Sequence, residues 1–275
     1  MSGGYKAINT KAVKSFPINS VQYALSGGYT KDNVKRLFEK SLTHSYNAMF
    51  DGVRSTNKLK PLHGFIAELL QYNLGEDFTV ISQGYRGDTE ETVKGAYYPK
   101  DVDICALKDE KVLGSIAVKF VCSNYSQNSN NYFESMLGET ANLRRNKNVY
   151  AQLIILPTYL PYYEDGHTIK KIEWISDEHI RKYRKLSLDT VNYPHTPDLM
   201  AFILLDTNNL EYFNTHIQEK WDIDILKKIS FVTISDLKNT HIQSEENVRF
   251  LEKHSDIYDF IEAFSNIIKA RSYGL

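Results

Sequence analysis

Cysteine is nearly absent from this 275-residue chain, which carries only Cys105 and Cys122. Two cysteines make neither a disulfide framework nor a zinc site, and their scarcity fits a reducing compartment. No apolar run approaches the roughly 18 residues that a membrane-spanning helix needs, so no membrane association is expected. The stretch MSGGYKAINTKAVKSF lacks the apolar segment of a secretory signal. The phosphate-cradling patterns G-x-x-x-x-G-K-S/T and G-x-G-x-x-G are missing, and no nucleotide cofactor is expected. H-E-x-x-H and G-x-S-x-G are missing too. The eight histidines are scattered without metal-ligand spacing. There is no internal repeat and no low-complexity segment.

What remains is an ordinary globular composition, 42% hydrophobic and 24% charged. The formal net charge of −1 conceals an asymmetry. Residues 1–62 hold ten Lys and Arg against three Asp and Glu, a balance of +7, and the rest of the chain holds 23 against 31, a balance of −8. A basic arm on an acidic body can attract a polyanion; a solvated helical face accounts for the same count. Tyrosine is abundant at 19 residues, beside 13 Phe. Such rings stack on bases or bond phosphates, and they also pack half-buried.

Periodicity places the elements. Val34, Leu37, Phe38 and Leu42 recur at helical spacing behind Thr30, a residue type that caps helix N-termini. A second helix is predicted over 62–74, with Phe65, Ile66, Leu69 and Leu70 inward and Glu68 at their edge. A strand leaving into a Gly-flanked loop is predicted over 78–87, and two strands over about 101–107 and 112–122. The polar run SNYSQNSNN (123–131) reads as a loop before a helix over 132–145. VYAQLIILP (149–157) and LMAFILLD (199–206) are continuous apolar strands of the kind buried on both faces. A helix with Ser176 as cap, a helix near 210–228, a short strand ISFVTIS and a C-terminal helix over 246–271 complete the chain. The interleaving predicts an α/β fold with a central mixed β-sheet flanked by helices and a helical N-terminal region. Two regions are expected: a basic arm and helix over 1–60, and an α/β core with C-terminal helices over 61–275.

The informative stretch is KDVDICALKDEKVLGSIAVKF, residues 100–120. A turn centred between Asp109 and Glu110 pairs residues whose numbers sum to 219 or 220. Asp103 then opposes Ile116 or Ala117. Side chains alternate along a strand, so Ile116, Val118 and Phe120 share the core face and Ala117 and Lys119 share the other. One carboxylate and one ammonium converge there. Carboxylate oxygens hold hard cations such as Mg²⁺, and a lysine stabilises developing negative charge. A cross-strand ion pair at a sheet edge uses the same two residues, and one carboxylate alone makes a poor magnesium site.

Asp103 with apolar Ile104 and Cys105, a turn, and an apolar strand ending in Lys119 resembles the core of the PD-(D/E)XK nucleases. The family's usual acid two residues before the lysine is Ala117 here. The following stretch, with Ser123, Ser126, Gln127 and Asn128 and then Glu134 and Glu139, is similar to a branch of type II restriction endonucleases that read sites containing CCGG. In that branch a Ser or Ala stands at the acid position and a glutamate on the next helix projects into the site. The resemblance spans roughly residues 99–145. Where the branch places guanine-reading arginines this chain has Cys122 and Tyr125, so the CCGG specificity does not transfer.

The resemblance implies a restriction-endonuclease-like fold and a cytoplasmic, bacterial, Mg²⁺-dependent, sequence-specific endonuclease acting on double-stranded DNA as a homodimer. It implies Asp103, Lys119, Glu134 and Glu139 as catalytic residues, with Asp103, Glu134 and Glu68 as metal ligands. Glu134 ranks first as the relocated acid, because it lies closer in sequence to Lys119. The candidate DNA contacts are Ser123, Asn124, Tyr125, Gln127, Asn128, Arg144 and Arg145; Asn and Gln can read adenine, and Arg can meet phosphate. Two alternatives remain open: a DNA-binding protein of the same fold that Ala117, natural or engineered, leaves inactive, and a nonenzymatic interaction protein.

Overall fold

The computed structural model describes residues 28–50, 56–86 and 88–274. Most of the basic arm, with Lys6, Lys11, Lys14 and Arg54, therefore lies outside the described residues.

The chain opens with α1 (Lys31–Met49), whose cap is Thr30: its hydroxyl accepts the Asn33 amide. A 3₁₀ turn (Thr56–Leu59) leads into α2 (Lys60–Leu74), and then come β1 (Thr79–Ser82), β2 (Glu91–Val93), β3 (Lys100–Val102), β4 (Ile104–Lys108) and β5 (Lys111–Phe120). Helix α3 (Tyr125–Arg145) carries the chain to β6 (Val149–Pro157), the hairpin β7 (Tyr159–Glu164) and β8 (Thr168–Trp174), and α4 (Asp177–Ser187). The rest is β9 (Leu199–Asp206), α5 (Leu210–Thr215), α6 (Ile223–Ile229), β10 (Thr233–Ile234), α7 (Glu245–His254) and α8 (Ile257–Ser272).

Six strands form one mixed sheet in the order β1-β4-β5-β6-β9-β10. β5, β6 and β9 run parallel in its centre, and the outer pairings are antiparallel. Parallel strands need a covered crossover, and α3 is the crossover between β5 and β6. One face packs Ile116, Val118, Phe120, Leu153 and Ile155 against the stripes of α1, α2 and α8. The other packs Ile154, Leu156, Phe202 and Leu204 against Tyr125 and Met136 of α3, Ile180 and Tyr183 of α4, and Phe250 and Leu251 of α7. The central mixed sheet flanked by helices that the sequence predicts is the architecture found, and α1 shares its core with α2 and α8.

The β4–β5 hairpin keeps the anticipated register. Ile104 faces Ile116, Cys105 faces Ser115 and Ala106 faces Gly114; a bulge then shifts the pairing to Leu107 with Val112. Asp109 and Glu110 both hold positive φ, 49° and 62°, as a two-residue turn matching strand twist requires. Cys105 and Cys122 are both unbonded thiols.

Four expectations fail for local physical reasons. The polar run 123–131 is mostly helix, since α3 begins at Tyr125. Tyr125 and Ser129 are buried and extend the stripe of Met136, Thr140 and Leu143; the Asn, Ser and Gln between them are merely its solvated side. The segment 210–228 is two short helices. The strand near 230–236 shrinks to Thr233–Ile234. The C-terminal helix breaks at Asp256, whose carboxylate caps the amides of Tyr258 and Asp259. The β7–β8 hairpin escaped notice altogether.

Arg144 anchors the end of α3. Its guanidinium forks onto Asp198 at 2.9 and 2.8 Å and donates to the carbonyls of Val191, Tyr193 and Thr196. Asp198 in turn accepts the Tyr150 amide of β6. Replacing Arg144 by Ala should lower stability by about 3 kcal/mol, because a largely buried carboxylate then loses its partner. Urea unfolding measures this loss, and Arg144→Lys should recover only part of it, since an ammonium cannot reproduce the fork.

Candidate active site beside the β4–β5 hairpin

Asp103 occupies the break between β3 and β4. The Ser82 hydroxyl donates to its backbone carbonyl at 2.7 Å. One carboxylate oxygen, Oδ2, accepts the Val118 amide of β5 at 2.7 Å. The side chain thus continues the ladder one step beyond the last backbone pair. Its carboxylate is fixed beside Ala117, while Oδ1 has no hydrogen bond among the described residues.

Lys119 follows on the same face of β5. Its ammonium lies 4.3 Å from the centroid of the Tyr132 ring on α3, a cation–π distance. Partial desolvation of the ammonium pulls the Lys119 pKa below its ordinary value, although the residue as a whole is exposed; the charges of Glu139 and Asp103 oppose that shift, and Lys100 reinforces it. A lysine shifted downward can exchange a proton nearer neutral pH.

Glu139 completes the group from α3. One carboxylate oxygen pairs with Lys100 of β3 at 3.1 Å, and the other accepts the Tyr150 hydroxyl of β6 at 3.3 Å. Burial, then Glu139 and Asp103, hold the Tyr150 phenol well above its usual pKa, so it stays a proton donor. For Lys100, burial works against the ammonium, yet the Glu139 carboxylate outweighs it and the pKa ends above the ordinary value. Lys100, Lys119 and Tyr150 each lie within electrostatic reach of both Asp103 and Glu139. Gln152, buried and paired in register with Ala117, donates to Thr140 at 3.4 Å.

The structure sorts the remaining candidates. Glu134 is exposed on another side of α3, where its charge acts on Lys182 of α4. The ranking of Glu134 over Glu139 is therefore corrected: on a helix, five residues turn a side chain well away from its starting direction. Glu68 sits on α2, where its charge acts on Tyr85. Tyr125 is buried with its hydroxyl 3.1 Å from that of Tyr183, so it cannot stack on a base. Asn124 spends both ends of its amide on the Tyr163 backbone, and Arg144 is consumed as described above; neither retains its expected DNA-facing donor. Ser123 and Asn128 are half-buried. Gln127 is exposed and accepts from the Tyr162 hydroxyl. Arg145 is exposed, 5.7 Å from the centroid of the Tyr97 ring.

Five neighbours went unnoticed in the sequence: Lys100, Tyr150, Gln152, Glu90 and His63. Polar Tyr150 and Gln152 inside an apolar strand were a readable signal. Glu90 and His63 become neighbours of Asp103 only through the tertiary fold. The loop beside the site presents Tyr97 and Tyr98, 69% and 49% exposed. Asn142 of α3 holds that loop by accepting the Tyr97 amide and donating to the Tyr98 carbonyl.

Among the described residues, no three His, Cys, Asp or Glu side chains gather in a metal-holding cluster. The donor chemistry nonetheless suits Mg²⁺, which keeps several waters and takes one or two carboxylates. Asp103 keeps one carboxylate oxygen without a hydrogen bond, and Glu139 holds the same site through bonds that a cation could replace.

No protein-family model and no curated protein matches the sequence. Among solved structures, the small subunit of a heterodimeric restriction endonuclease is similar, at 11% identity and a TM-score of 0.28, over 83% of this chain and 97% of that one. That score is too low to carry the fold, which rests on the sheet order and packing described above.

Because the Glu139 charge favours the protonated Lys119, Glu139→Gln should lower the Lys119 pKa further. Acylation of Lys119 at pH 8, followed by peptide mass spectrometry, should accelerate several-fold in the variant.

Proposed function

We propose that this chain is a Mg²⁺-dependent endonuclease of double-stranded DNA, of the restriction type, working as a homodimer on two-fold symmetric sites. The observation that carries the reading is the convergence of Lys119, Asp103 and Glu139 from β5, the β3–β4 break and α3. Asp103 and Glu139 are the residues to hold the cation, which would polarise the phosphate and acidify a bound water. Lys119 orients the attacking water and, with Lys100, offsets the charge that builds on the phosphate. The Tyr150 hydroxyl keeps Glu139 directed toward β5 when Lys100 turns to the phosphate. Arg145, Tyr97 and Gln127 lie outside these bonds and are suited to the DNA backbone and bases.

A second reading has its own support. Ala117 removes the family's usual acid, and no three-ligand cluster forms among the described residues; both favour a relative that binds duplex DNA without cutting it.

Digestion of a supercoiled plasmid with Mg²⁺ distinguishes the two. The endonuclease reading expects defined fragments, with cleavage falling at least about 100-fold in Lys119→Ala and in Asp103→Asn. Sequencing of the fragment ends then gives the site. Intact plasmid, together with duplex binding that weakens steeply with salt, would establish the non-cleaving relative instead.

A further inference from the structure

We infer that Tyr97 and Tyr98 form a stacking platform for the bases of an unpaired DNA strand, on the path that leads past Lys100 to Lys119. The platform rests on the reading of this chain as a DNA-acting protein, and its occupancy does not depend on cutting.

The first support is exposure held in place. The two rings are 69% and 49% exposed, yet six hydrogen bonds fix the backbone that carries them to α3 and the turn after it. The Asn142 carbonyl accepts the Ala96 amide at 2.9 Å, and the Asn142 side-chain oxygen accepts the amides of Tyr97 and Tyr98 at 2.9 and 3.4 Å. The Asn142 side-chain nitrogen donates to the Tyr98 carbonyl at 3.0 Å. Asn146 and Asn148 both donate to the Lys94 carbonyl, at 2.7 and 3.0 Å. A Cβ at Gly95 would collide with the Asn142 side chain and the Tyr98 carbonyl, so glycine permits this close approach. Rings presented by a preordered backbone lose little further freedom on binding.

The second support is charge. Arg145 lies 5.7 Å from the centroid of the Tyr97 ring, and the Lys94 backbone is bonded to Asn146, the residue between Arg145 and Lys147. Lys94, Arg145 and Lys147 are all exposed, and none has an ion pair among the described residues. The third support is continuity with the site. Lys100 follows Tyr98 by two residues, lies within electrostatic reach of its phenol and pairs with Glu139. Cations beside open aromatic rings suit a single strand, whose phosphates meet the charges while its bases lie on the rings. A base inside a duplex has both faces covered by its neighbours, so these rings receive one only where the strand is unpaired.

The test measures, by fluorescence anisotropy without divalent metal, how the full-length protein binds a labelled single-stranded oligothymidylate and a fully paired duplex. Tyr97→Ala and Tyr98→Ala should each weaken single-strand binding about tenfold and leave duplex binding unchanged. Tyr97→Phe and Tyr98→Phe should retain the affinity, because the ring is kept. Tyr72→Ala, at an exposed tyrosine of α2 across the sheet, should change nothing. The unaltered chain gives a second readout that no variant's misfolding can disturb. A single strand carrying iododeoxyuridine, irradiated in the complex, should crosslink to the tryptic peptide 95–100, which holds both tyrosines. No single-strand binding by the wild type, unchanged affinity in either alanine variant, an equal loss on the duplex, phenylalanine variants as weak as the alanine ones, or crosslinks confined to other peptides would each overturn the inference. So would alanine variants that lose a wild-type dimer in sedimentation and keep their single-strand affinity, for the rings would then face a second copy of the chain. Plasmid cleavage is scored separately. Ring-dependent single-strand binding by a protein that never cuts retains the platform and removes the nuclease reading. Cleavage by a protein whose single-strand affinity ignores both rings does the reverse.

Discussion

The bond from the Val118 amide to the Asp103 carboxylate organises this part of the molecule. A backbone donor in a sheet must be satisfied, and just before β4 begins the carboxylate satisfies it in place of a carbonyl. The substitution has two effects. It continues the hairpin by one step, and it fixes an acid at the mouth of the parallel strands. Every other member of the site is positioned relative to that acid: Lys119 is the residue after Val118, Ala117 is the one before, and Gln152 is the partner of Ala117 on β6. The Ser82 hydroxyl holds the same residue from β1. The acid is thus tied to both strands that flank β4.

Helix α3 supplies the opposite wall, and its two ends are tied differently. Near the N-terminus Tyr125 is sunk into the core beneath α4, with Asn124 clasping the β7 hairpin. At the C-terminus Arg144 grips the segment before β9. Between these anchors Glu139 meets β3 and β6 through Lys100 and Tyr150, while Tyr132 covers the ammonium of Lys119. A carboxylate on a long flexible side chain is confined when both of its oxygens have partners.

Much of this was legible from residues 100–120. Period-two alternation separated Ile116, Val118 and Phe120 from Ala117 and Lys119, and turn symmetry put Asp103 beside Ala117. The unbroken apolar strands 149–157 and 199–206 signalled a buried parallel centre. One error has a plain cause: polar composition hides helical periodicity. SNYSQNSNN looks like a loop because its only large apolar contact is Tyr125, and a single buried ring is no stripe. The same stretch attracted a DNA-binding reading that Tyr125 and Asn124 do not support, since both are spent on the fold. Arg144 misled for another reason, since an arginine fork serves a carboxylate as well as a phosphate. The choice between Glu134 and Glu139 depended on the phase of α3 against the sheet, which residue spacing alone does not fix. Glu90 and His63 were beyond reach, because each becomes a neighbour of Asp103 through chain segments whose pairing no local pattern encodes.

The Asn142 clamp on the 97–98 loop has a mechanical meaning. Asn142 lies less than one helical turn beyond Glu139, and it holds the backbone of the two exposed tyrosines. The acid and the aromatic rim therefore share one support, so their relative placement is set by α3. The two exposed tyrosines and the acid paired with Lys100 are thus hung from one stretch of helix, three residues apart.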